Sequence, residues 1–367
     1  MRVVTRNQHE CWFGSKAHWG GPLRLIMARI AMVVTNACAP DPRVERHALW
    51  LTELGHDVEI HAWDRQCSNS IHEEKNGYKI VRYRFGVVTG SMPIRTWFMK
   101  RKFISNLELN HDLLILNDTD TGNVKFHGPT ILDIHDLAHT WPLMRGKTPL
   151  HKFASKRMLS QAKKIIRKAD EIIVSAPNFE KWVAKNGRSS TCVMNRRNPV
   201  TIQVTSNKVV GYLGRIRELE PILSLIKAAK KADFKVILAG DGVQVDNVLR
   251  SNPDIDYRGP FTEEELPGLM EEISVMYAMY DENRANIKSG AIPTKMLDAA
   301  AFGIPSIVNQ NTPMGDLCES ESLGETAPYG DIEKISQALI QAHGMEISGV
   351  KGEEKSEFIS VVRKLLD

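Results

Sequence analysis

Long apolar runs are missing from this sequence. Nowhere do about eighteen apolar residues follow one another, so no membrane-spanning helix is expected. Cysteine is scarce: Cys11, Cys38, Cys67, Cys192 and Cys318 are scattered and form no C-x-x-C pair. That argues against a disulfide framework or a thiolate zinc site and fits a reducing, cytoplasmic setting. No G-x-G-x-x-G follows the first strand-like run, where TNACAPDPRV stands instead, which counts against a nicotinamide dehydrogenase. The patterns G-x-x-x-x-G-K-[ST], G-x-S-x-G and H-E-x-x-H are absent as well.

What is present is ordinary in bulk and uneven in charge. Hydrophobic residues make up 42% and charged residues 25% of 367, enough for more than one core, and two domains are the natural expectation. Residues 1–200 carry 31 Lys and Arg against 18 Asp and Glu, an excess of 13 positive charges; residues 201–367 carry 17 against 26, an excess of 9 negative ones. Either the first half favours phosphate-rich or anionic surfaces, or the two surfaces merely differ in sign. No nucleic-acid recognition module stands beside the charge, so nucleic acid is not expected as a partner. Residues 1–27 lack periodicity and the features of a signal peptide, and read as an upstream start or a disordered extension.

From residue 28 two patterns alternate. ARIAMVVTN (28–36), VEIHAWD (58–64), YKIVRYRFG (78–86), DLLILND (112–118), PTILDIHD (129–136) and EIIVSA (171–176) read as strands. Helices are expected over DPRVERHALWLTELGHD, over 93–108 and over a basic stretch from about 151 to 169. After a polar linker at about 201–207 the alternation restarts with KVVGYLG (208–214), a helix at 221–232, FKVILAGDG (234–242), a helix at 263–273 containing Pro267, and SVMYAM (274–279). Helices at 331–343 and 356–367 follow. This is an α/β chain of two doubly wound, Rossmann-like domains, 28–200 and 207–345, facing across a cleft, with 346–367 as a final helical segment.

The stretch SGAIPTKMLDAAAFGIPSIV (289–308) carries the clearest site signal. Pro293 marks a helix start, Thr294 offers a capping hydroxyl, and Lys295 adds charge to the positive end of the helix. Together they suit a phosphate. Asp298, one turn on, can accept hydrogen bonds from the vicinal hydroxyls of a sugar. The site reads as one for a nucleotide; an ordinary capped helix fits the same residues. In GYLGRIRE (211–218), Gly214 allows close backbone approach and Arg215 can fork onto phosphate oxygens, or simply be solvated. Gly240 lies in the turn of ILAGDG. His135 stands at a strand end in ILDIHD, able to position a sugar hydroxyl or to serve structure alone. Asp118 and Asp120 in NDTDTG suit turn capping first, metal or acceptor contacts second. SMPIRTWFMKRKF (91–103) mixes aromatics with Arg95, Lys100, Arg101 and Lys102, a solvated face or a contact with an anionic membrane.

Taken in order, DPRVERHALWLTELGHDVEI, HDLLILNDTDTG, ILDIHD, ADEIIVSAP, GYLGRIRE, ILAGDG, YRGPF and IPTKMLDAAAFGIPSIV resemble the retaining glycosyltransferases of family 4, which have the GT-B fold. The resemblance runs from about residue 28 to 345. It implies a nucleotide-sugar donor held by the second domain and a glycan or lipid-linked acceptor at the first, with no metal and no cofactor. His135, Arg215 and Lys295 would be the catalytic residues, and Gly214, Arg215, Gly240, Thr294, Lys295 and Asp298 would hold the donor. The last helix would cross back to the first domain. The scattered cysteines lead us to expect a cytoplasmic protein, and the basic first half suits an acceptor that carries phosphate or is presented at the inner membrane surface. Two positions depart from the family pattern: its first glutamate falls on Gly290, and a phosphate-binding lysine falls on Glu220. A silent relative that binds nucleotide-sugar or a partner, and a sugar-nucleotide 2-epimerase, are the other functions these residues allow.

Overall fold

The computed structural model describes residues 27–87, 93–347 and 354–367; the expectation for the first 26 residues lies outside them. Eight strands form one sheet: β1 (Arg29–Val34), β2 (Asp57–Trp63), β3 (His72–Lys75), β4 (Tyr78–Tyr83), β5 (Leu113–Asn117), β6 (Thr130–Ile134), β7 (Glu171–Val174) and β8 (Thr191–Cys192). Their spatial order is β3-β4-β2-β1-β5-β6-β7-β8, parallel everywhere except between β3 and β4. Six more form a second, wholly parallel sheet: β9 (Val209–Leu213), β10 (Lys235–Ala239), β11 (Asp256–Tyr257), β12 (Val275–Tyr277), β13 (Ser306–Asn309) and β14 (Gly324–Ala327), in the order β11-β10-β9-β12-β13-β14. β5 and β9 are buried along their whole length because helices cover both faces of their sheets, and this explains their unbroken apolar sequences.

In each sheet the first strand is central, and successive strands depart first to one side and then to the other. That reversal leaves a crevice at the carboxyl ends of β1 and β5, and of β9 and β12, where doubly wound sheets bind ligands. The loops leaving β5, β6, β9 and β12 therefore supply the residues considered below.

Several elements differ from the sequence reading. Strand β3 was not foreseen: His72–Lys75 is exposed throughout and has no apolar alternation to betray it. Its partner is fixed by Asn76-Gly77, both with left-handed backbone (φ 52° and 85°), as a two-residue hairpin demands. The helix expected over 263–273 is only Leu266–Glu271, and Pro267 lies in its first turn, where a missing N–H does no harm. The basic helix starts at Pro149 and runs to Lys168, with Thr148 as its N-cap. Beyond β8 the chain leaves the first sheet, and the Val200 N–H donates to the carbonyl of Ala301 in the second half.

The chain's last helix, Glu354–Leu366, returns to the first half. Phe358, Val361 and Val362 are fully buried there among Ile30, Val44, Trp50 and Val58. The Phe358 ring stacks on His47 with 4.2 Å between centroids. Among the described residues no helix is long and apolar enough to cross a membrane.

Trp50, Trp63, Trp97, Trp141 and Trp182 lie in the first half and no tryptophan lies in the second, so tryptophan emission separates the two. Phe358→Ala should lower the stability of that half in urea by about 3–5 kcal/mol, the usual cost of removing a buried phenyl ring. A change under about 1 kcal/mol would mean that the returning helix rests on the first half without completing its core.

Candidate active site

A cavity of about 490 Å³ opens between the two halves, of a size that suits a small-molecule ligand. His135 and Asp136 line it from the first half; Gly214, Arg215, Lys295 and Asp298 line it from the second. A larger hollow of about 840 Å³ lies beside Val209 and Lys235, at the amino ends of β9 and β10, the end of the sheet that such folds do not use for ligands.

The helix Thr294–Ala301 begins at the cavity. Its N-cap is Pro293, and no side chain caps it, so Thr294 does not play the capping role expected of its hydroxyl. The amides of the first turn stay available to a ligand. Lys295, directly after, is 9% exposed, and its Nζ has no hydrogen-bond partner. It lies 3.1 Å from the Tyr212 ring centroid and 5.6 Å from that of Tyr280. Burial, followed by the positive charges of Arg217 and Arg284, drives the ammonium well below its ordinary pKa, while Glu218 opposes them. A buried cation with aromatic faces and no carboxylate bonded to it is a seat for an anion.

Other cations surround the seat. Arg215 is loosely paired with Asp241 at 3.3 Å, and its side chain is 64% exposed, free to turn inward. Arg284 reaches Glu218 at 3.2 Å, and Arg217 also lines the cavity. Arg217 and Arg284 escaped the sequence reading. The first follows Arg215 by two residues in GRIRE and was there to be seen; the second lies in a loop with no motif. Glu220, feared as a lost phosphate ligand, is exposed and does not line the cavity.

Gly214 has φ +121°, and a Cβ there would come within 2.9 Å of Lys295 Cε. Its missing side chain is what lets Lys295 lie flat along the strand end. Gly240, predicted to touch the donor, does not line the cavity. A Cβ on it would stand 2.1 Å from the carbonyl oxygen of Gly214, so Gly240 acts from behind, by letting two backbones meet.

Asp298 lines the cavity but is already engaged: Arg197 Nε lies 3.2 Å from its Oδ1, and Arg197 also holds Glu263 at 2.7 Å. Burial pushes the Asp298 carboxyl up and Arg197 pulls it down, with the upward pull prevailing. Gly290 has φ +99°, and a Cβ on it would lie 2.3 Å from the Cβ of Asn178 in the first half. A glutamate cannot stand there as the halves are now placed.

His135 leaves the end of β6 with both of its ring hydrogen bonds at Nε2, each 3.2 Å long, to Asn117 Oδ1 and Asp133 Oδ2. Asp133 has no exposure; Arg43 Nη2 reaches its Oδ1 at 2.6 Å, and His47 Nδ1 lies 3.1 Å from its Oδ2. Burial penalises a charged His135, but Asp133 and Asp118 together outweigh it and raise the ring to about 9. The imidazolium can thus donate to a ligand oxygen and cannot accept a proton at neutral pH. Asp118, raised to about 7 mainly by burial, accepts from the backbone N–H groups of His135 at 2.8 Å and Asp136 at 3.1 Å. It braces the loop that carries His135. Asp120 accepts from the Thr35 hydroxyl at 2.8 Å, and Lys100 stands 3.6 Å away.

Residues 207–344 match the family model described as Glycosyl transferases group 1. No curated protein matches the chain in sequence. Among solved structures, sucrose-phosphate synthase from Thermosynechococcus elongatus is similar over 92% of this chain and 95% of its own, at 14% identity and a TM-score of 0.68. The Anabaena protein HepE in complex with UDP and glucose is similar over 92% and 98%, at 12% identity and a TM-score of 0.64. The lipopolysaccharide outer core galactosyltransferase WaaB, in its apo form, is similar over 90% and 94%, at 14% identity and 0.54. The fold is therefore that of the GT-B glycosyltransferases, two Rossmann-like halves built on parallel sheets.

The raised His135 pKa has a thermodynamic sign. Its contribution to stability is complete below about pH 6.5, the ordinary histidine value, and is lost as pH rises through about 9. The melting temperature followed by tryptophan emission should fall over that window, and fall less in His135→Gln. Parallel profiles for the two proteins would show that the ring is neutral.

Proposed function

We propose that the protein is a retaining glycosyltransferase that takes a sugar from a nucleoside diphosphate and passes it to a glycan or lipid-linked acceptor. The observation that carries this reading is Lys295: a nine-tenths buried ammonium, unpartnered, at the opening of a helix and in a cavity lined by arginines. The diphosphate would sit on Lys295 and the free amides of Thr294–Ala301, with Arg215, Arg217 and Arg284 around it. Departure of a nucleoside diphosphate builds negative charge, and cations fixed in place before the reaction lower its barrier. His135, held cationic by Asp133, would donate to an oxygen of the donor sugar. In such a site the acceptor hydroxyl approaches on the face that the diphosphate leaves, which gives retention without a dedicated base. The reading calls for no metal, because four side chains supply the positive charge.

Asp298 would take the ribose, sharing its carboxylate with Arg197. That HepE, with the same fold, is described with UDP and glucose bound supports a nucleotide-sugar donor here. One observation favours a second reading, a relative that binds the donor without turning it over: Asn178 occupies the space that a glutamate at position 290 would need.

The acceptor side also suits a membrane surface. The helix Pro149–Lys168 contains seven Lys and Arg and no acidic residue, with Leu150 73% and Phe153 63% exposed at its start. In the helix Pro93–Ser105, Trp97 and Phe98 are exposed beside Arg101, whereas Lys100 turns inward to Asp120 and is lost to any surface contact. Such faces bind anionic bilayers peripherally.

UDP or GDP and their sugar conjugates, screened by thermal shift, identify the donor. A ligand at a hundred times its Kd adds about 2.7 kcal/mol of stability, and Lys295→Met and Arg284→Ala should each remove most of the shift. No shift with any nucleotide would defeat the donor site, and a shift without turnover of any donor would favour the silent relative. For the membrane, sedimentation with phosphatidylglycerol vesicles should fall in Leu150→Ser/Phe153→Ser, and equal binding by the double variant would count against this face.

A further inference from the structure

Away from the cleft, the first half holds three ligand-bearing side chains at the other end of its sheet. Glu59 and His61 are two apart on β2 and so share a face. His111 lies just ahead of β5, on the far side of β1. Between them β1 presents Ala31, level with Glu59, and the small side chain leaves room for the His111 ring. One ligand atom from each of the three lies within 4.8 Å of the others. The two imidazoles meet nearly at right angles, 5.6 Å between centroids.

Two nitrogens of this cluster are not satisfied by protein. Nε2 of His61 and Nδ1 of His111 are buried without a hydrogen-bond partner, and the His61 side chain is only 2% exposed. Nε2 of His61 stands 3.0 Å from Glu59 Oε1, yet outside hydrogen-bond alignment. The other nitrogen, Nδ1, is 3.1 Å from the Tyr83 hydroxyl. With Nδ1–H given to Tyr83, Nε2 presents a lone pair towards a carboxylate oxygen. A carboxylate oxygen and an imidazole nitrogen 3.0 Å apart are bridged either by a proton on Nε2, in the other tautomer, or by a metal ion.

We propose that Glu59, His61 and His111 bind one divalent transition-metal ion, zinc by the chemistry of the set, and that the ion pins the segment entering β5 to β2 across β1. Two imidazoles and a carboxylate are a familiar zinc set, with water in the fourth position. Imidazole nitrogen also admits cobalt and nickel, whereas calcium and magnesium prefer oxygen throughout. Bonds of about 2.0–2.2 Å put tetrahedral ligand atoms roughly 3.3–3.5 Å apart, between the 3.0 Å that separates His61 Nε2 from Glu59 Oε1 and the 4.8 Å that bounds the set. Tyr83 plays the orienting part that an oxygen partner plays behind a metal-bound imidazole. Glu59 is 31% exposed, which leaves a path from solvent. The site is independent of the donor reading: it sits at the amino ends of the strands, remote from the crevice.

The test is cobalt(II) titration of the full chain, stripped with chelator, followed by its ligand-field absorption, with zinc counted by equilibrium dialysis. The expected result is one equivalent with a tetrahedral spectrum that zinc displaces, and a melting temperature that rises with zinc. His111→Gln and Glu59→Gln, both partly exposed positions, should abolish the spectrum while leaving the far-UV circular dichroism unchanged. Tyr83→Phe should keep the spectrum and weaken binding by about tenfold or more. The proposal is overturned if the stripped protein binds neither ion. It is equally overturned if both Gln variants bind as wild type does, which would mean adventitious capture by exposed groups such as Cys67 or His72.

Discussion

A carboxylate without contact with water is tolerable only when its neighbours answer its charge, and Asp133 imposes that requirement on the whole first half. Its answers come from three side chains. Arg43 is supplied by the first helix, which also extends Nη1 to the Val193 carbonyl and Asn195 in the stretch leaving the first sheet. His47 comes from the same helix, one turn on, and receives Phe358 from the last helix on its ring. His135 comes from the crevice. Removing the charge would leave Arg43 buried without its partner, with consequences for the first helix, the connection between the halves and the cavity wall together. Buried pairs of this kind contribute little net stability but fix one arrangement among several, and here the fixed object is the His135 ring.

Lys295 is the converse case. In the second half a lysine amine is taken out of water with aromatic faces above it and no carboxylate bonded to it, and burial, with Arg217 and Arg284, opposes its charge. On the proposed reading, a bound diphosphate offsets that cost. The two halves thus face each other with opposite electrostatic histories: one carboxylate fully answered, one ammonium waiting. Gly214 and Gly240 make the second arrangement possible by letting the strand ends of β9 and β10 meet without side chains between them.

Much of this was legible in the sequence because it is written in short-range patterns. The β-branched runs of β1, β5 and β6 and the helical spacing of Val44, Ala48 and Leu51 give the alternation, and with it the crevice. Lys295 could be read because the helix start that surrounds it is local. What could not be read depends on contacts distant in sequence. Arg284 enters the cavity from a loop, Arg197 reaches Asp298 across 101 positions, and β3 is held by its partner strand and turn, not by its own exposed residues. Gly240 was placed at the ligand because a glycine in a turn looks the same whether a phosphate or another backbone approaches it.

The departures from the family pattern fit together once these distant contacts are in place. Where a glutamate would stand at position 290, the backbone takes a left-handed turn against Asn178 of the first half, so the halves touch at a point that the side chain would otherwise hold open. Where the pattern it resembles has a lysine, at position 220, the chain has an exposed glutamate, while Arg217 and Arg284 line the cavity. Asp298, one carbon shorter than glutamate, reaches less far into the cavity and is steadied by Arg197, itself tied to Glu263. At position 298 a shorter carboxylate, held by Arg197, takes the place of a longer one. On the proposed reading the site exchanges reach for rigidity at Asp298, and preorganisation of this kind would serve electrostatic stabilisation of a leaving diphosphate.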